Sequence, residues 1–436
     1  MRTTRLRSSA ILKRGRLIEP SSRRVLRGVA TLATGSAAAK LIMLASLPII
    51  TRLYAPEHMG ALSVFAGLVM LLTPLVTLQY NRGLPVAGRK SAAINLLVLT
   101  LALVSGFSLL LTGVLAIGAA PLLHLLSMDV LQPFWWMLPL GTLVMGTYLT
   151  LQLWATRERA YRHMAGAEIA HGLATSVGKI GLFLVMPGPL ALIMARVGGQ
   201  SVAALILVSQ FRSELRSLAR HVTLRRMRSM AVRHQGFPRY RLPSQLTLLM
   251  ASQMPIFFVA SVFGAATAGQ FGLAMMALAL PMSLIARNTG KAFFGEAAHL
   301  GHEDPAALRR AVIEITRILG AVGLVMTMAL MLAAPTLFPL VFGAQWAEAG
   351  RFAAVLAIFL TAQFVVAPVM NVLTVVRREH IYLQVNLKRL VLTTGVFLAA
   401  YLLDLTPLMT ILAYSLVLTF HCVVTFLRVL RAIADD

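Results

Sequence analysis

The chain contains one cysteine, Cys422, in 436 residues, so no intramolecular disulfide framework holds it together, and this residue reads as a small core side chain. Acids are nearly as scarce, with 15 Asp and Glu against 40 Lys and Arg. All charged residues together make up 13% of the sequence, about half the share that a soluble domain carries. A phosphate-binding loop is missing: "GSAAAK" at 35–40 lacks the second glycine and the Gly-Lys-Ser/Thr ending, which excludes ATP hydrolysis by that route. So is the Gly-x-Ser-x-Gly elbow of an esterase. His421 and Cys422 are adjacent, and neighbours on a helix point about 100° apart, so they form no catalytic dyad. "EAAHLGHED" at 296–304 spaces Glu296, His299 and His302 like metal ligands. It reads more simply as a solvated turn, with Asp304 capping and Pro305 opening the next helix. The chain is therefore not expected to be an enzyme, and no metal or other cofactor is expected.

What fills the sequence is apolar length. Hydrophobic residues make up 58% of it and the mean hydropathy is +0.79. Windows of about 18 to 25 apolar residues, each long enough to cross about 30 Å of hydrocarbon, recur along the whole chain. Twelve are expected, at 29–51, 58–80, 93–118, 133–154, 165–186, 188–209, 243–263, 267–290, 316–339, 352–375, 387–404 and 407–428. The expected fold class is an all-α polytopic membrane protein of about 12 transmembrane helices, with no room for a soluble domain. One long basic connection splits the spans six and six. The expected organisation is a basic tail 1–28, an N-terminal six-helix lobe 29–209, a basic linker 210–242, a C-terminal six-helix lobe 243–428 and a short tail 429–436. Connections on the opposite side are all short, the longest being 119–132, which weighs against a glycan polymerase or ligase with a large external domain.

A net charge of +25 suggests nucleic acid until the cations are placed. Of the 40 Lys and Arg, 34 fall in the N-terminal tail, in every second connection or at the C-terminal end. The alternate connections hold Arg52 and Arg351, and Lys40, Lys179, Arg196 and Arg287 lie within spans. That asymmetry is the positive-inside pattern expected when both termini are cytoplasmic and the number of spans is even. Topology thus accounts for the charge, and no nucleic-acid partner is expected. The Arg- and Ser-rich tail also has the composition of a transit peptide, but a first helix needs just such a basic flank. In the linker, Arg212, Arg216 and Arg220 share a helical face suited to anionic headgroups, and pinning topology is the simpler role.

The cations within spans need a reason. A Lys or Arg at mid-helix costs roughly 2.5 to 3.5 kcal/mol, so Lys40, Lys179 and Arg196 together cost roughly 8 to 10. Lys179 lies toward the outer end of the fifth span and Arg196 toward the outer start of the sixth, so neighbouring helices hold them at similar depth; Lys40 is near mid-membrane. Snorkelling, ion pairing and donation to carbonyls at helix breaks are the structural alternatives. Acids to pair with are few: Glu168 at the inner start of the fifth span and Asp404 at the outer end of the eleventh. A functional reading is a water-filled cavity with positive walls that favours an anion, with Arg287 and Lys291 extending it to the cytoplasmic mouth. Gln79, Asn81, Gln245, Asn288 and Asn371 offer hydrogen bonds to a hydroxylated ligand or simply join helices. The halves echo each other: Pro48 and Pro74 are 26 residues apart, as are Pro255 and Pro281. "WATRERAY" also matches "TVVRREHIY", and repeated halves are common in transporters.

Three stretches resemble the bacterial polysaccharide flippases, the O-antigen type of the multidrug/oligosaccharidyl-lipid/polysaccharide exporter superfamily. "LPIITRLYAPEHMGALSVFAGLVMLL" is similar to their first-to-second helix connection at Arg52, Leu53, Tyr54, Pro56, Glu57 and Gly60. "FGAQWAEAG" resembles their turn after the ninth helix, and "GQFGLAMMALALPMSLI" their eighth helix. The resemblance implies two six-helix lobes around a central cationic cavity. It also implies movement of an undecaprenyl-pyrophosphate-linked oligosaccharide across the inner membrane by alternating access. The implied partners are that polyprenyl-diphosphate-linked glycan and membrane lipid, with polysaccharide polymerase and glycosyltransferases acting on the same material; with no acid deep in the spans, coupling to an ion gradient stays open as a source of drive. Lys40 precedes Arg52 by twelve residues, a spacing similar to the cation pair in the first helix of lipid II flippases, which gives Lys40 a diphosphate-contacting role. Their Arg-Asp pair is absent, which argues against lipid II itself. The candidate substrate-binding residues are Lys40, Lys179, Arg196, Arg287, Lys291 and Arg52. A multidrug exporter of the same superfamily, which would want a membrane acid, and a membrane glycan polymerase are the alternatives.

Overall fold

A computed structural model describes residues 20–125, 128–303, 305–370, 372–376 and 378–434. Inside hydrocarbon a lone segment satisfies its backbone only by coiling into a helix, and prolines mark where these helices begin. The first six long helices are α1 (Pro20–Leu53), α2 (Pro56–Thr77), α3 (Lys90–Leu125), α4 (Met137–Arg157), α5 (Tyr161–Phe183) and α6 (Pro189–Ala219). Pro56 and Pro189 open their helices at first-turn positions whose missing N–H costs nothing. A short helix α7 (Leu224–Arg233) follows. Then come α8 (Leu242–Glu303), α9 (Pro305–Phe342), α10 (Ala347–Met370), the single turn α11 (Val372–Val375), α12 (Glu379–Leu402) and α13 (Pro407–Ala434).

α8 is two helical legs bent at Gly264, whose φ of +84° is open to glycine and strained for other residues. One residue therefore does the work of the connection expected between the seventh and eighth spans. With the legs counted separately, the described residues form twelve long helices, six before α7 and six after it. Among the described residues, nine stretches are each long and apolar enough to cross a membrane; α8 supplies one of them, and α4 and α5 are not among them. Polar groups dilute α5, which carries Glu168, His171 and Lys179. The chain is a multi-pass membrane protein.

Small residues set the packing of the N-terminal lobe. α1 and α5 run parallel, with Gly35 on Ala165, Gly172 against the Ala39 backbone, and Ser46 Oγ donating to Ser176 Oγ at 2.9 Å. α6 closes on α5 where Gly178 meets Ala195 and Gly199 meets Thr175. Glycine at these crossings brings backbones close where lipid supplies little drive for association.

The end of the bundle bearing α7, here the linker end, is tied by polar contacts. Arg157 donates to the carbonyls of Leu84, Ala87 and Gly88, and Lys90 pairs with Glu214 and, at 3.2 Å, with Glu158. The basic stretch after the sixth span is ordered: Arg212 and Arg216 ride on α6, and α7 is docked on the first lobe. The Tyr80 hydroxyl donates to the Ala231 carbonyl at 3.2 Å, while the Asn95 side chain donates to the His221 carbonyl and accepts from the Thr223 N–H.

Candidate functional site

Opposite the linker end, the two lobes are sealed together. α2 and the second leg of α8 approach until a methyl group on Gly60 would overlap the Ala265 carbonyl oxygen, and one on Gly269 would overlap that of Pro56. Four hydrogen bonds cross between lobes at the same level. The Thr51 carbonyl at the end of α1 accepts from both Gln345 Nε2 and Trp346 Nε1, each at 2.7 Å. Gln345 also reaches the Tyr54 carbonyl at 3.2 Å, and the Arg52 guanidinium donates to the Leu340 carbonyl at 3.1 Å. Gln270 holds the turn in place by donating to the Gln345 carbonyl and accepting from the Ala349 N–H. The "FGAQW" stretch turns at Gly343, with φ of +111°, and so brings its Gln and Trp to α1.

Beneath this seal lie the intramembrane cations of the first lobe. The crossing of Gly178 with Ala195 makes the next residues on α5 and α6, Lys179 and Arg196, neighbours close enough to repel each other. Lys179 is only 6% exposed, and among the described residues no carboxylate stands within ion-pair distance of either cation. The Tyr54 hydroxyl donates to the Lys179 carbonyl at 2.7 Å and ties the pair to the seal. His171, two turns back on α5, lies within electrostatic reach of both. Two cations and an imidazole, with Lys179 buried and the other two half-buried, make this region the candidate for an anion site, because poorly solvated charge is costly and an arriving anion offsets that cost.

The six candidate residues do not all converge. Lys179 and Arg196 come together. Lys40 is half-buried on α1, beside the point where Ala39 meets Gly172, about 10 Å below the pair by helical rise. Arg52 is exposed and belongs to the seal. The side chains of Arg287 and Lys291 lie outside the described residues, as do those of Asn288, Asn371, Glu296, His299, His302 and Asp304. Gln79 and Asn81 are buried near the linker end, each with a side-chain carbonyl oxygen lacking a partner. Among the described residues no group of three or more His, Cys, Asp or Glu is arranged to hold a metal.

Three features were missed in the sequence. Arg389 falls at the very start of the expected span 387–404 and counts there with the cations of the preceding connection, but α12 begins at Glu379, which carries it well inside the second lobe. It lines a cavity of about 220 Å³ with His421, Gln363 and Asn386, lies over the Phe359 ring, and has a buried Nε without a hydrogen-bond partner. That cavity shares Leu248, Tyr382 and Asn386 with a larger one of about 690 Å³ at the linker end, whose lining includes Arg233, Arg241 and Gln245 and no acid. A mouth thus leads from the linker end to the half-buried guanidinium of Arg389. Glu168, expected at the start of a span, sits two turns inside α5 and accepts from Gln152 Nε2 at 3.2 Å. His171 carried no sequence signal beyond being a histidine in an apolar run.

A protein family described as "Polysaccharide biosynthesis protein" matches residues 49–351. Among solved structures, the chain is similar to the lipid II flippase MurJ in an inward closed conformation, at a TM-score of 0.67 and 9% identity, over 91% of this chain and 86% of that one. It is also similar to an inward-facing multidrug resistance MATE family transporter of the MOP superfamily, at 0.62 and 15%, over 93% and 94%. A MOP superfamily transporter from Pyrococcus furiosus aligns at 0.58 and 15%, over 93% and 95%. At such identities the likeness is one of fold, and it extends over both six-helix lobes. No curated protein sequence matches the chain.

Proposed function

Because this chain belongs to the polysaccharide biosynthesis protein family, we propose that it moves an undecaprenyl-pyrophosphate-linked oligosaccharide across the bacterial inner membrane. The single observation carrying this reading is the buried Lys179 beside the half-buried Arg196, with no carboxylate next to them, under a closed seal and in a lobe whose partner opens a cationic mouth. A diphosphate is the lipid-linked group that such charge suits. The linker end is cytoplasmic, and both termini lie on that side.

The headgroup enters through the mouth lined by Arg233 and Arg241, with Arg287 and Lys291 assisting, while the polyprenyl tail stays in lipid. Lys40 takes the diphosphate upward, Lys179 and Arg196 hold it beneath the seal, and Arg389 offers a second positive wall. Anion binding neutralises the mutual repulsion of the pair, so it favours whichever lobe arrangement brings those groups nearest the ligand. The seal at Thr51, Gln345, Gly60 and Gly269 then parts, the mouth closes, and the glycan leaves on the other side. The protein makes and breaks no covalent bond, the cycle calls for no cofactor, and an ion gradient supplies the drive. Glycosyltransferases supply the substrate and a polymerase consumes it.

The Glu168 carboxylate inside α5 favours a second reading, a cation-coupled multidrug exporter of the same fold. A deletion strain separates the two. Loss of surface polysaccharide with unchanged susceptibility to organic cations supports glycan transport, whereas increased susceptibility with intact polysaccharide supports the exporter.

A further inference from the structure

A second charged concavity lies away from the cleft, at the linker end of the first lobe. It has a volume of about 580 Å³ between the start of α3 and α7, and Arg89, Arg226, Arg233, Ser91, Ser229 and Asn95 line it, with no acid among its lining residues. Residues 226, 229 and 233 recur at helical spacing, so one face of α7 is turned to it. The opposite wall is the first turn of α3, where free N–H groups and the helix dipole favour an anion. The cradle is rigidly built. Thr223 caps α7 through the Arg226 N–H, Asn95 clamps the approach to α7, and Arg226 Nη1 holds the His221 carbonyl at 3.0 Å, leaving the rest of its fork to a ligand.

We propose that this cradle binds the phosphate of an anionic phospholipid from the surrounding leaflet. Guanidinium forks and hydroxyls recognise phosphate oxygens. The position argues for bulk lipid over the transported substrate, because the concavity is lined by the start of α3 and by α7 and by no residue of the second lobe. α7 also presents Leu224 and Val232 outward, 81% and 60% exposed, as a helix lying at a membrane surface does. A lipid held there fixes α7, and through Arg233, which lines both concavities, it steadies one wall of the mouth.

The test titrates phosphatidylglycerol, and separately phosphatidylcholine, into the purified full-length protein in neutral detergent and reads thermal stabilisation and bound lipid by native mass spectrometry. Phosphatidylglycerol should bind the wild type preferentially, and Arg89→Gln or Arg226→Gln should weaken it about tenfold or more, the loss of one charge-assisted contact. Ser229→Asp, which adds a repelling carboxylate without removing a tether of α7, should do the same. The control pair Arg225→Gln and Arg228→Gln, exposed on α7 outside the cradle, should change affinity by less than about twofold. Equal losses from both sets would mean diffuse attraction to basic surface and overturn the proposal. Displacement of phosphatidylglycerol by farnesyl diphosphate at lower concentration would overturn it in favour of a substrate-docking site.

Discussion

Gly60 and Gly269 occupy reciprocal positions in one contact: each faces the carbonyl of the residue four places before the other, Ala265 for Gly60 and Pro56 for Gly269. Two helices from different lobes thus meet the same way from both sides, a pseudo-two-fold relation that the paired prolines at 48, 74, 255 and 281 repeat along the sequence. The contact closes one end of the molecule, and because backbone meets backbone there is no side chain to yield.

Gly60→Ala is therefore expected to strain the sealed arrangement by about 1 to 3 kcal/mol, a factor of about 5 to 150 in the ratio of sealed to open molecules. Ser63→Cys in a Cys422→Ala background reports it. A membrane-impermeant maleimide added outside cells should label Cys-substituted protein faster when Gly60→Ala is present. Unchanged labelling would mean the seal tolerates the methyl or does not part.

The seal's polar half should behave as a set of neutral hydrogen bonds. Gln345→Leu removes two donors from the end of α1, and each typical bond is worth about 0.5 to 1.5 kcal/mol. The same labelling should rise by a factor similar to that for Gly60→Ala, since the two bonds together are worth about 1 to 3 kcal/mol. Trp346→Phe, which removes one donor from Thr51, should lie below Gln345→Leu.

Function and stability should part company at Lys179. Replacing a buried, uncompensated charge with a similar apolar volume often stabilises a protein by about 1 to 4 kcal/mol. Lys179→Met is expected to raise the thermal midpoint of purified protein while abolishing export of surface polysaccharide. A loss of both would mark the lysine as a structural donor instead.

Outside the spans, His234 gives a pH signature. Burial, and then the charge of Arg233, hold its pKa below the ordinary 6.5. Above 6.5 neither folded nor unfolded chain carries the proton; as pH falls below it, the unfolded chain takes one up before the folded chain does, so stability declines. His234→Gln should lessen the fall in thermal midpoint between about pH 7.5 and pH 5.5. An identical fall would remove His234 from the account.

Helix number and the division into six and six were legible because hydrocarbon thickness acts on composition alone. The neighbourhood of Lys179 and Arg196 was legible too, since antiparallel adjacent helices keep depth. Arg389 was not. A cation near a helix start looks like a connection when the helix boundary is misplaced by a few residues, and only the full length of α12 shows how far inside it lies. Arg52 has a role that the sequence did not announce: its guanidinium donates to a carbonyl of the other lobe. Gln345 and Trp346 were seen as a turn, and their partner across the lobes is a backbone carbonyl, which no side-chain pattern announces.

The most direct measurement is leaflet-selective labelling of lipid-linked oligosaccharides in a deletion strain, complemented with wild type, Lys40→Ala, Lys179→Met or Arg196→Gln at matched protein levels. The expected result is accumulation on the cytoplasmic leaflet that wild type clears and the three variants do not. An unchanged distribution between leaflets on deletion would contradict glycan translocation, and clearance by all three variants would contradict the role assigned to the buried cations.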